Sequence, residues 1–214
     1  MVSCTHGDGI FRGMLPRSGA ACGGKREQHE QHASHRVIVR RVRGTLIVVT
    51  GAPGAGKTTL ARALAAELRI AMLAKDDVKE ALFDALGVGD RDWSRKLGAA
   101  TYEVLFALAG CLLESGVDCM LESNFSRPEP LRLLPARRVV QLFCAAPPDV
   151  VLERYARRER HPGHLDRTIV EELRARLEAE EWRPLDLGGE TIVVDTAAQV
   201  DVHAVAQRVR RYLT

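Results

Sequence analysis

The run Thr45-Leu46-Ile47-Val48-Val49-Thr50 leads straight into Gly51-Ala52-Pro53-Gly54-Ala55-Gly56-Lys57-Thr58-Thr59, and Leu60, Leu64 and Leu68 follow at helical spacing. The apolar, β-branched run reads as a buried strand and the leucine spacing as an amphipathic helix, so the glycines occupy a strand-to-helix turn. In that context G-x-x-x-x-G-K-[ST] is a phosphate cradle: the N–H groups of a tight turn point inward at phosphate oxygens, and the helix starts there with its positive dipole end. Gly51, Ala52, Pro53, Gly54, Ala55, Gly56, Lys57, Thr58 and Thr59 are therefore expected to hold a nucleotide. Lys57 would reach the β- and γ-phosphates, and the Thr58 hydroxyl would complete a Mg²⁺ site. A merely structural glycine turn would give Lys57 no purpose.

Working outward, further apolar runs at Ile70–Ala74, Val117–Glu122, Val139–Cys144 and Ile192–Asp195 alternate with helical stretches. Five such strands, counting Leu46–Thr50, predict an α/β fold: a parallel sheet with right-handed crossovers and helices on both faces. Trp93 to Ser115 reads as one long helix with Leu97, Thr101, Val104, Leu105, Leu108 and Leu112 facing inward. Trp93, Tyr102 and Phe106 are expected in the core.

The second strand ends in Lys75-Asp76-Asp77-Val78-Lys79-Glu80. Ligands of open parallel sheets sit beyond the carboxyl ends of the strands, so an acid here faces the group being transferred. Asp76 is the candidate general base and Asp77 the candidate cap of the next helix, an assignment that adjacent residues leave open to exchange.

Taken together, the strand-loop-helix unit, Lys75-Asp76-Asp77-Val78-Lys79 and Glu122-Ser123-Asn124-Phe125 resemble the P-loop kinases that include polynucleotide 5′-kinases, zeta toxins and chloramphenicol phosphotransferase, with an AAA-type ATP-binding domain. The resemblance runs over roughly residues 45–200. It implies a three-layer sandwich with a five-stranded parallel sheet and a short lid, and an ATP- and Mg²⁺-dependent transfer to a hydroxyl. Asp76 matches that family's general base. Lys79 stands where an Arg is usual, and Glu122-Ser123-Asn124 where Asp-Thr-Asn is usual; Lys keeps the charge but loses the bidentate fork. Glu122, at the end of an apolar strand, would orient the Mg²⁺ water shell, and Asn124 would reach the acceptor alongside Asp76 and Lys79. Arg154 and Arg158, four residues apart before His161-Pro162-Gly163-His164, read as a lid over about residues 157–167. In the resembled kinases the first such arginine lies against adenine and the second on the transferring phosphate, while Arg157 reads as solvated. The turn at Asp195-Thr196-Ala197 lies where related kinases hold the adenine.

The whole chain carries 31 basic and 28 acidic side chains over 214 residues, but residues 1–44 hold eight of the basic and three of the acidic ones, so the remainder is close to neutral. That balance favours a hydroxyl-bearing small molecule as partner; nucleic acid stays possible, as for a polynucleotide 5′-hydroxyl kinase, without being favoured. A non-catalytic ATP-binding regulator is the other alternative. Lys75, Lys79, Arg91, Arg95 and Lys96 would suit an acceptor that already carries phosphate. Residues 1–43, rich in Gly, Ser, His and Arg, are expected to be a disordered tail before a kinase domain spanning 44–214. Five cysteines without C-x-x-C spacing point to a reducing, cytoplasmic compartment, with Cys111, Cys119 and Cys144 read as core residues. The longest uninterrupted apolar stretch, the ten residues Val104–Leu113, is about half of the ~20 needed to span a bilayer, so no membrane segment is expected.

Overall fold

A computed structural model describes residues 43–159, 161–164 and 170–213. The expectation for the N-terminal tail lies, except for Arg43, outside these residues. The chain order is β1 (Thr45–Gly51), α1 (Lys57–Leu68), β2 (Ala71–Ala74), α2 (Lys75–Leu86), α3 (Arg91–Glu114), β3 (Cys119–Glu122), α4 (Glu129–Arg132), β4 (Arg138–Ala145), α5 (Pro148–Arg157), α6 (Val170–Glu178), β5 (Glu190–Asp195) and α7 (Val202–Arg210). The five strands form one sheet in the order β2-β3-β1-β4-β5, every pairing parallel. This is the expected α/β sandwich.

β1 is buried along its whole length because it sits in the middle of the sheet and faces helices on both sides. Alternation divides its run between two cores. Ile47 and Val49 pack with Leu60, Ala61 and Leu64 of α1 and Val205, Ala206 and Val209 of α7, while Leu46 and Val48 pack with Leu105, Ala109 and Leu113 of α3. Gln141 of β4 is fully buried on that second face, and its amide is satisfied by the Leu185 backbone at 2.8 and 2.9 Å and the Thr191 hydroxyl at 3.0 Å.

The expected strand starts at Ile70 and Val117 move inward. The backbone N–H groups of Ile70 and Val117 bond back to Ala65 and Leu112 at the ends of the preceding helices, so neither residue joins the sheet. The expected inward face of α3 also changes. Val104 (40% exposed) and Leu108 (46%) face outward, and Leu97, Thr101, Leu105, Ala109 and Leu113 are the buried stripe. Cys111 is likewise exposed rather than core, whereas Cys119 and Cys144 are buried, and burial pushes both thiols up to about 12. By length and composition α3 is long and apolar enough to cross a membrane, but its buried stripe packs against the sheet as a core helix. Asp90 caps α3 by accepting from the Trp93 N–H at 2.8 Å. Trp93 departs from its expected place in the core: half-buried, its indole donates to the Gly87 carbonyl at 3.0 Å and closes the α2–α3 loop.

Candidate active site

Register aligns the carboxyl ends of the strands: Val49 pairs with Glu122, Glu122 with Ala74, and Gly51 with Cys144. The connection from β3 to β4 passes over β1, so the strand order switches sides there, and the crevice outside such a point is where open α/β sheets bind ligands. A cleft of about 710 Å³ opens at this edge.

The loop after β1 forms one wall. Gly54 has φ 90°, and a Cβ there would lie 2.6 Å from the Val151 carbonyl oxygen; Gly56, with φ 81°, turns the chain into α1. Only glycine meets both demands. Lys57 is 7% exposed, and its Nζ donates to the Ala52 carbonyl at 2.8 Å across the loop. Burial pulls the Lys57 ammonium below its ordinary range, against the opposing pull of Glu122 and Asp76. The Thr58 hydroxyl donates to Glu122 Oε2 at 3.2 Å, and burial raises the Glu122 carboxyl against the nearby Lys57 charge.

The opposite wall comes from α2, α3 and the segment after β3. Asp76 lies in the first turn of α2 with its carboxylate 3.1 Å from Lys75 Nζ, and it lines the cleft. Asp77 does not take its expected place as the cap of α2. The helix begins directly at the strand end with Ala74 at the cap, so Asp77 falls three residues inside and turns outward to pair with Arg62 of α1 at 2.8 Å. Lys79, 8% exposed, donates to Ser94 Oγ at 2.8 Å and sits 5.1 Å above the Phe83 ring. Asn124 lines the cleft beside Ser123, whose hydroxyl is 2.8 Å from that of Tyr102. Tyr102 is thus only partly a core residue: its ring packs on Phe106 and Phe125 while its hydroxyl reaches the cleft.

The third wall is α5 and the turn beyond it. Arg154 donates to the carbonyls of Thr196 and Ala197 at 2.7 and 2.9 Å, tying α5 to the turn after β5. Thr196 in turn donates from its hydroxyl to the Ala55 carbonyl at 2.7 Å. Arg154 and Thr196 also border a smaller hollow of about 370 Å³ with Ala63, Gln199 and Val202. Arg158, one residue past the end of α5, lies in the cleft with its guanidinium 4.4 Å from the Tyr155 ring centroid, whereas Arg157 faces solvent and pairs with Glu153. Within the expected lid, His161 stacks on Phe83 of α2 and meets Asp84 at 3.1 Å, and His164 meets Glu80 at 3.0 Å. Arg160 and residues 165–167 of that lid lie outside the described residues.

All the expected site residues from the three segments therefore border one cleft, except that Gly51, Ala52 and Ala55 shape the loop behind it. Lys96 does not line it. Ser94 and the Tyr102 hydroxyl are additions; with Arg91, Arg95 and Gly98 they make a stripe on α3 at helical spacing, a signal that was available but looked like an ordinary polar face. Among the described lining residues the loop after β1 and the α5 wall contribute Lys57, Arg154 and Arg158, while Lys75, Lys79, Arg91, Arg95 and Arg176 come from elsewhere; the carboxylates are Asp76 and Glu122.

Residues 46–180 match the family described as the AAA domain. A crystal structure from Chloroflexus aurantiacus, described as a candidate kinase, is 40% identical with a TM-score of 0.72, covering 79% of this chain and 98% of that one. An uncharacterised protein of Mycobacterium tuberculosis is 32% identical over 145 residues, 61% of this chain and 27% of that protein, so the chain spans about a quarter of that relative's length. An adenylyl-sulfate kinase of Chloroflexus aurantiacus is 35% identical over 121 residues, 52% of this chain and 61% of that enzyme.

Proposed function

The chain belongs to the AAA-domain family, and from that premise we propose that it is an ATP-dependent phosphotransferase that moves the γ-phosphate of Mg-ATP to a hydroxyl of a small molecule, residues 44–214 acting as one catalytic unit. The observation that carries the reading is the meeting of the Lys57 loop, the Asp76 carboxylate and the Arg158 guanidinium at one cleft. The likeness to kinases supports it.

Each residue then has a task. The loop N–H groups and Lys57 bind the β- and γ-phosphate oxygens, with Arg154 and the hollow beside Thr196 on the adenine side. Asp76 accepts the acceptor's proton on its carboxylate, and Lys79 and Asn124 orient the acceptor. Arg158 faces the oxygens of the transferring group, where a permanent, forked cation suits developing charge. A divalent cation fits the donor set: the Thr58 hydroxyl and the buried Glu122 carboxylate stand side by side, hard oxygen donors suited to Mg²⁺, which keeps most of its waters. When bound, Mg²⁺ would neutralise phosphate charge there.

Lys57→Ala removes the cation at the phosphates but leaves the loop backbone. Mg-ATP affinity measured calorimetrically should fall about tenfold or more, since a charge-assisted contact is lost. A folded Lys57→Ala protein that binds and turns over ATP like the wild type would overturn the reading.

A further inference from the structure

α3 carries more apolar surface than the sheet covers. One stripe, with Leu105, Ala109 and Leu113, seats it on the core, yet only 28% of its most apolar 18-residue stretch is buried. On the outward side Ala100, Val104, Ala107 and Cys111 recur at spacings of four, three and four residues, and all are exposed, with Leu108 alongside at 46%. That spacing is the one by which helices pack in pairs. Lys96, one turn before Ala100, and Glu114, one turn after Cys111, continue the seam with an exposed charge of opposite sign at each end. From Lys96 to Glu114 the seam keeps within roughly 80° of arc, because three- and four-residue steps nearly complete a helical turn. Gly110 flanks it, and a Cβ there would meet nothing within 4 Å. No contact among the described residues calls for glycine at this mid-helix position, where it is unfavourable; a second helix approaching closely would.

We propose that this face of α3 is the interface of a homodimer, in which the α3 helices of two copies of the chain pack antiparallel about a two-fold axis. Charge selects the occupant: a seam with a cation at one end and a carboxylate at the other is complementary to itself turned end for end. In that arrangement Val104 stands against the second copy's Ala107, Ala100 against its Cys111, and Lys96 beside its Glu114, and each contact occurs twice. The central layers then set a large residue against a small one, as close packing requires. A membrane surface suits the face less, since Glu103 and Glu114 on this side would meet anionic headgroups. The cleft residues Ser94, Gly98 and Tyr102 lie on the far side of α3, so pairing leaves both clefts open, and the inference does not depend on the kinase reading.

The test is the oligomeric state of the full chain. Sedimentation velocity from about 1 to 100 µM should show a monomer–dimer equilibrium with a dissociation constant in the micromolar range, as suits a small interface. Val104 is 40% exposed in the single chain, so Val104→Asp should keep the fold, checked by circular dichroism, while weakening the dimer about tenfold or more. Lys96→Glu sets like charges together at both ends of the seam and should weaken the dimer about fivefold at low salt. Adding Glu114→Lys to it restores the attraction and should return the dimer to near its original strength. Val193→Thr, at an exposed apolar residue of the edge strand β5, should change nothing. A chain that stays monomeric throughout, or a dimer that Val104→Asp leaves intact, overturns the interface. A Lys96→Glu effect that is absent, or that Glu114→Lys does not rescue, overturns the antiparallel pairing. A monomer that co-sediments with vesicles of phosphatidylcholine and phosphatidylserine would give the face to a lipid surface instead and overturn the proposal.

Discussion

At the residue scale the site was legible where chemistry is contiguous and obscure where it depends on a helix boundary. Lys57 and Thr58 follow from nine consecutive residues whose spacing has one structural solution. Asp76 and Asp77 differ by one position, which on a helix is about 100° of rotation, so the first turn's exact start decides which of them faces the cleft. The helix starts at Lys75, and Asp77 is carried over to Arg62 on α1. The Tyr102–Ser123 contact joins residues 21 apart in sequence, and nothing local encodes it. If Asp76 accepts the proton, Asp76→Asn should keep nucleotide affinity within a small factor and cut the transfer rate about 10²–10⁴-fold. Asp77→Asn gives up one exposed ion pair and should change both quantities little, as parallel binding and single-turnover measurements on the two variants would reveal. Should Asp77→Asn lose transfer while Asp76→Asn keeps it, the proton acceptor is Asp77.

At the element scale, α3 and the segment after α5 show what amphipathic reading resolves. Val104 to Leu113 is apolar on every face, so periodicity cannot select the inward one; contact with β1 and β3 selects Leu105, Ala109 and Leu113. The segment after α5 was legible as a Pro-Gly turn between arginines, but its seat was not. A Cβ at Gly163 would come within 2.5 Å of the Phe83 ring, so the turn packs directly on α2, the helix that carries Asp76 and Lys79. Arg158 lines the cleft while Arg157 faces solvent. A group that acts mainly on charge developing in the transition state shows its loss in kcat. Steady-state kinetics and nucleotide titration of Arg158→Ala should therefore show a larger fall in kcat than in nucleotide affinity, with Arg157→Ala close to wild type. An equal loss in Arg157→Ala would mean that the other face of α5 serves the site.

At the scale of the whole molecule, alternating strands and helices imply a parallel sheet, and that much was readable. The strand order was not, because several orders satisfy the same crossovers; it follows from β3 pairing with both β1 and β2 while β4 takes the other edge of β1. This order places the phosphate loop between the Asp76 and Arg158 walls. Overall charge was similarly misleading, since a near-neutral domain hides a cleft whose described charged lining residues are eight Lys and Arg against Asp76 and Glu122. The most direct test of the account is the fate of the label when the protein, Mg²⁺ and ATP labelled on the γ-phosphate are incubated with hydroxyl compounds, each offered with and without a phosphate, sulfate or carboxylate. The account predicts Mg²⁺-dependent appearance of label on an acceptor hydroxyl with the wild type and its loss in Lys57→Ala and Asp76→Asn. Label that leaves ATP solely as inorganic phosphate across the whole set, or that reaches an acceptor equally well in a folded Lys57→Ala protein, would contradict it.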